Sequence, residues 1–359
     1  MHSSYNAPFS SYPTPSYDLP LTSLNNTPPR QWSQESSDSV SIRKPFTSNY
    51  IAARYPQPYK AYNPQNQALV TSITNYIDKG KGVRSYLLGE NYTEKAMLHG
   101  IRNLTTLFDS NLNALHHQMA AILPNGTLAT PNTQHFISKI EEHIHKGTRW
   151  TSHLKGENFP EKQILRCLTN FNQMADAHFK SLHYSMSQLQ SQVDYLSGHS
   201  QTLIHPPPEN DALLSEALLT RQKGTGNRSR LHSMFVPHGE NYTELKGVKM
   251  MNLTGEFLLN NMDYYHQWMD RLQKQLGINE PVHSFKAAKP RNQDYYGNLQ
   301  AISNDAQFNP MNLMDANRVD RRLLAMMQPL THIVADNAEY LQNRMGDAIA
   351  PQVTRLMKR

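Results

Sequence analysis

Eight basic residues lie in three glycine-containing stretches of this sequence, a combination that could hold a phosphate or another anion. Lys79, Lys81 and Arg84 form the first group, Lys146 and Arg149 the second, and Lys223, Arg228 and Arg230 the third. Glycines let backbone amides approach an anion, and a helix N-terminus downstream adds its positive pole, so cations at such a place make a phosphate cradle. Each stretch ends in an acid, Glu90, Glu157 or Glu240, that would repel an anion. The plainer expectation is a solvated loop with a lysine at the negative end of the preceding helix.

Other groups promise less chemistry. Glu141 and His145 are one helical turn apart and could share a metal with a third ligand. His143 points elsewhere on that helix, and no His-Glu-x-x-His pattern occurs, so neither a metal site nor a cofactor is expected. The single cysteine, Cys167, falls on or beside an apolar seam and reads as a small buried hydrophobe. The remaining histidines, His116 and His117 among them, look scattered. No phosphate-loop, dinucleotide or nucleophile-elbow motif is present, so an enzyme reading rests on an unrecognised site between elements.

The elements that must position these residues recur. Gly89-Glu90-Asn91-Tyr92-Thr93-Glu94 returns as Gly156-Glu157-Asn158-Phe159-Pro160-Glu161 and as Gly239-Glu240-Asn241-Tyr242-Thr243-Glu244. A weaker form is Asp315-Ala316-Asn317-Arg318-Val319-Asp320. Asn followed three residues later by an acid is the spacing of a capping box, which predicts four helix starts. Before each of the first three strings stands a short amphipathic segment with apolar residues at matching offsets: Leu69, Val70 and Ile73; Phe136, Ile137 and Ile140; Leu213, Leu214 and Ala217. Each segment closes on Lys-Gly, at Gly80, Gly147 and Gly224, which predicts a left-handed glycine cap. After each string runs a long three-four stripe, such as Met97, Ile101, Leu104, Phe108, Leu112, Leu115 and Met119. Such stripes mark the narrow seam of bundled helices about 45–55 Å long. The predicted fold is all-α: four diverged helix–loop–long-helix repeats (about 64–132, 133–209, 210–291 and 292–359) in a bundle-like or stacked array spanning 64–359.

Residues 1–63 carry nine prolines and few aliphatics, a composition that predicts a disordered tail. Its acid-free opening, rich in Ser, Pro, Thr and Asn, resembles the export leaders of type III secretion substrates. Tyr-x-x-Pro occurs there four times, beginning at Tyr5, Tyr12, Tyr17 and Tyr55, a spacing that chance in a Tyr- and Pro-rich tail accounts for. No Sec-type signal and no apolar run near the ~18 residues of a membrane span is found. The net charge of +6 suits an acidic partner. These observations point to a non-enzymatic helical-repeat interaction or scaffold protein with a protein partner, and to a secreted bacterial effector as its setting; without export it would be cytoplasmic. The alternative is a nucleic-acid coat protein, nucleic acid or a phosphoinositide surface being the acidic partner. The seams could also seal an oligomer.

Overall fold

The computed structural model describes residues 64–81, 91–123, 130–155, 158–198, 206–226, 242–278, 290–307 and 318–358. The expectations for residues 1–63, and for Arg84, Arg228 and Arg230, lie outside them. The described residues are helical, with no strand among them. None of their helices is long and apolar enough to cross a membrane. They belong to one unit, Tyr59–Arg359.

Short and long helices alternate. α1 (Pro64–Lys81), α3 (Gln134–Thr148), α5 (Asp211–Thr225) and α7 (Asn292–Gln307) are short. α2 (Tyr92–Ala120), α4 (Phe159–Ser197) and α6 (Tyr242–Gln275) are long. The last rod is divided into α8 (Arg318–Ala325), α9 (Met327–Asn343), a π-helical turn (Arg344–Ile349) and α10 (Ala350–Met357). Prolines account for both interruptions. Pro329 has no amide to offer the Ala325 carbonyl, and the helix breaks there. Pro351 crowds the Asp347 carbonyl, and the preceding turn widens so that the Ala350 amide reaches Met345.

Each short helix runs antiparallel to the long helix after it. At one end of the first pair, Thr93 Oγ1 donates to the Gly80 carbonyl (3.1 Å). Further along, the Asn66 and Asn111 amides exchange hydrogen bonds (3.0 and 2.9 Å). The same reciprocal pairing joins Asn210 to Asn261 and Asn292 to Asn337. Asn111, Asn261 and Asn337 each also donate to the carbonyl one turn earlier in their own helix. In the second pair Thr133 and His178 take these places, and both bond Asp109 Oδ1 (2.8 and 2.9 Å). A buried amide left alone costs more than a satisfied one contributes, so these pairs fix the register of each hairpin.

The long helices form a ring in which α2 packs on α4, α4 on α6, α6 on α8 and α9, and these on α2. The short helices lie outside, each against two neighbouring rods, and α1 bridges the first rod and the last. Every long helix thus touches partners on several sides. The anticipated stripe residues are buried, but so are Leu98, Leu107, Ile164 and Leu165, and the buried arc is far wider than a two-position seam. A single apolar core results. At its centre Phe108 meets Phe171 and Phe179 edge-on, and the Tyr265 hydroxyl donates to the Phe179 carbonyl (2.5 Å).

Gly80, Gly147 and Gly224 do not cap their helices. Each is the next-to-last residue within its helix, and none has a positive φ. Their role is close approach. A Cβ on Gly147 would sit 2.4 Å from Leu98 Cδ1 and 3.2 Å from Gln163 Cβ; on Gly224, 2.4 Å from Leu165 Cδ1; on Gly80, 2.3 Å from Leu324 Cδ2. The leucine belongs in each case to the neighbouring rod, so the three contacts tie successive hairpins and close the last onto the first. In α7 the matching position is Ala306, and in α6 the position matching those leucines is the smaller Val248, both buried. Gly147→Ala should lower the stability of unfolding by about 1–2 kcal/mol: overpacking costs ~1–3, and the better helix propensity of alanine returns up to ~1. In denaturant titrations, adding Leu98→Val should recover part of that loss, giving a favourable coupling energy in the double-mutant cycle.

Candidate functional site

All four long rods run in the same direction, so their N-terminal ends gather at one end of the ring. The capping-box reading fails at the two of these ends whose asparagine is described. Asn91 (φ 57°) and Asn158 (φ 60°) sit in the left-handed region and make no side-chain cap bond. A capping side chain needs extended backbone to reach the first-turn amides. From the left-handed conformation, which asparagine tolerates better than most residues, it cannot. Asn241 and Asn317 lie outside the described residues. Where a capping box would turn its acid back to the cap, the acid at the third helical position is buried instead. Glu94, Glu161, Glu244 and Asp320 are between 5% and 7% exposed.

These acids meet. Carboxylate oxygens of Glu94, Glu161 and Asp320 lie within 4.8 Å of one another, and the Glu244 charge acts on both Glu161 and Asp320. Burial, reinforced by the charges of Glu244 and Glu94, holds the Glu161 carboxyl well above the usual carboxylate range. Burial likewise raises Asp320, helped by Glu94, Glu244 and Glu161. The backbone amides of Glu161 and Asp320 donate to their own carboxylates, as first-turn amides without a helical partner can. That leaves Glu161 Oε2 and Asp320 Oδ1 buried with no hydrogen-bond partner among the described residues. Such a cluster can share protons or bind a hard cation, and it resists being left as four bare anions.

The basic residues occupy the same end but do not form one cradle. Lys79 and Lys223 are exposed at the ends of α1 and α5. Lys81 is half-buried, and burial lowers its pKa, Asp78 opposing and Arg322 adding to the shift. Lys146 pairs with Glu142 one turn earlier, and Arg149 reaches His145 Nε2 (3.1 Å). Trp150, next to Arg149, is 77% exposed. Glu141 forms a two-pronged pair with Arg102 (2.8 and 2.7 Å), so Glu141 and His145 face different partners. Cys167 is buried with its thiol toward the Ile140 carbonyl (3.7 Å), and burial raises its pKa.

Two histidines far apart in sequence are not scattered. His116 stacks on His178 (ring centroids 5.8 Å apart), and His178 bonds Asp109. Burial, with the His178 and His117 charges, pushes His116 down to about 4. For Asp109, burial raises the carboxyl but is outweighed by hydrogen bonds from His178 and Thr133, so its pKa is lowered. Elsewhere an open groove beside the start of α7 is lined by Asp263, His266, Asp270 and Arg291.

No family model, no curated protein and no solved structure matches this chain.

The cluster has a sign that stability measurements can read. Glu161 and Asp320 have ordinary values of 4.5 and 3.8 and raised values when folded. The unfolded chain therefore releases protons that the folded heads retain, and the cluster's penalty appears as pH rises through the unfolded values, levelling off above the folded ones. In chelator-containing buffer, Glu161→Gln with Asp320→Asn should match the native chain below about pH 3.8. Above that its advantage in denaturant titrations should grow, to about 1–4 kcal/mol at pH 8, by analogy with the gain seen when buried ion pairs give way to uncharged residues. An advantage that does not change with pH would mean that the acids are ordinary solvated groups.

Proposed function

We propose that this chain is a non-enzymatic helical scaffold, made of four diverged copies of one hairpin, that presents an interaction face at the carboxylate end of the ring. Four copies are supported by correspondence in position. Asn66–Asn111 and Asn292–Asn337 are each 45 residues apart, Thr133 and His178 stand at the same interval, and one acid per rod reaches the cluster. The scaffold reading rests on one observation: a continuous apolar core occupies the interior of the ring, while Lys79, Lys223, Arg149 and Trp150 stand exposed at its carboxylate end. Tryptophan and arginine are the residue types that most often dominate protein interfaces. Residues 1–63 would serve as an export or docking leader, as their composition suggests, and a host protein is the favoured partner.

A second reading, nucleic-acid coating, is favoured by the placement of five cations, Lys79, Lys81, Lys146, Arg149 and Lys223, at that same end. Counterion release would make such binding fall steeply with salt. The two readings separate in size-exclusion chromatography with light scattering and paired 260/280 nm absorbance, on protein purified without nuclease. The scaffold reading predicts a discrete species free of nucleic acid, whose capture of a protein partner drops at least tenfold with Trp150→Ala and Arg149→Glu. A large species that carries nucleic acid and dissociates in high salt, and that is lost when Lys79 and Lys223 become glutamate, would replace it with the coat reading.

A further inference from the structure

We propose that the buried carboxylates at the convergence of the four rods form a divalent-cation site, ligated by Glu94, Glu161 and Asp320 with Glu244 as the adjoining fourth acid, and selective for a hard ion of the Ca²⁺ type. Three observations lead there. The oxygens lie within 4.8 Å of one another, a separation that a Ca–O sphere of roughly 2.3–2.6 Å radius can span. Glu161 and Asp320 are more than nine-tenths buried, and each keeps one oxygen, Oε2 and Oδ1, without a hydrogen-bond partner among the described residues. An orphaned oxygen in such a place costs free energy until something occupies the space before it. Finally, the donor set is carboxylate only, and hard oxygens favour Ca²⁺, Mn²⁺ or Mg²⁺ over zinc or copper. Mg²⁺ demands a smaller, near-ideal octahedron and holds its water, whereas Ca²⁺ accepts irregular, all-carboxylate coordination.

Charge also closes. A divalent ion offsets half of the four negative charges, and the four helix N-termini, each worth about half a positive charge, face the rest. Lys162 adds to this, acting on Glu161. The ion would clamp the heads of rods that touch only side by side elsewhere. Binding would couple to folding, because the acids come together only when the ring is closed.

The test uses the full chain, stripped with EDTA and desalted at pH 7.5. Thermal unfolding is followed with CaCl₂, MnCl₂ or MgCl₂ added, and bound metal is counted by elemental analysis after dialysis. The expected result is a saturable rise in Tm of about 5 °C or more with Ca²⁺ and close to one ion per chain. Glu161→Gln with Asp320→Asn should fold, melt higher than the native chain in EDTA, and lose both the shift and the ion. Glu216→Gln, at a surface ion pair, should keep both. The proposal is overturned if the native chain neither binds an ion nor shifts; a double variant that is still stabilised in EDTA would then mean that the cluster holds protons alone. It is equally overturned if the double variant retains the ion-dependent shift, which would place binding elsewhere.

Discussion

Four carboxylates brought out of water at the heads of four parallel helices set the terms for the rest of this fold. Like charges a few ångströms apart in a dry place repel strongly, and their desolvation is costly. The arrangement persists because the first-turn amides and the aligned helix dipoles point at the same spot. Parallel rods alone would leave four positive poles side by side. The acids answer that field, and the rods hold the acids. Glu94, Glu161, Glu244 and Asp320 are therefore better understood as one unit than as four helix caps.

Parallel rods also require the chain to return after each one, and the short helices make that return on the outside. Their antiparallel course brings cations at the ends of α1, α3 and α5 to the same end as the buried acids. That end then combines an acidic centre with a basic rim. Along the hairpins, register is held by paired amides, with His178, Thr133 and Asp109 substituting once. Between hairpins it is held by a leucine seated over a glycine. Both devices depend on size and hydrogen-bonding geometry, so both are sensitive to single substitutions that hydrophobicity would tolerate.

The helices themselves could be read in the sequence. Sustained three-four spacing in Met97–Met119 leaves few alternatives to a long amphipathic helix, and the short segments before the glycines are equally clear, whereas Pro329 and Pro351 divide the last rod that the spacing alone makes continuous. What they bury was only partly readable, since a helix enclosed by several neighbours hides residues, such as Leu98 and Leu165, that a single seam would expose. The glycines of Lys-Gly and the Asn-x-x-Glu spacing were visible, but their physical meaning was not. A glycine that admits a leucine from another rod looks identical in sequence to one that caps a helix. An acid that caps looks identical to one that turns inward; the left-handed asparagine separates the two, and nothing local announces it. The cluster of acids is a product of ring closure, since Glu94 and Asp320 meet from opposite ends of the helical region, and the stacking of His116 on His178 likewise needs two separate rods to pack together. The one local hint was that an acid stands at the same place in all four strings, as Glu94, Glu161, Glu244 and Asp320, and the asparagine kept three residues before it favours the capping reading instead.

The most direct test of this account is a carboxyl-detected NMR titration of the full chain, labelled at Glu and Asp side chains, in divalent-free buffer. Signals would be assigned through Glu161→Gln and Asp320→Asn. The account predicts that Glu161 and Asp320 titrate well above the ordinary carboxylate range, and that removing either acid shifts the other downward, because each loses a repelling neighbour. Titration of both near their ordinary values, with neither responding to the other's removal, would contradict the convergence of the four rods on one buried head.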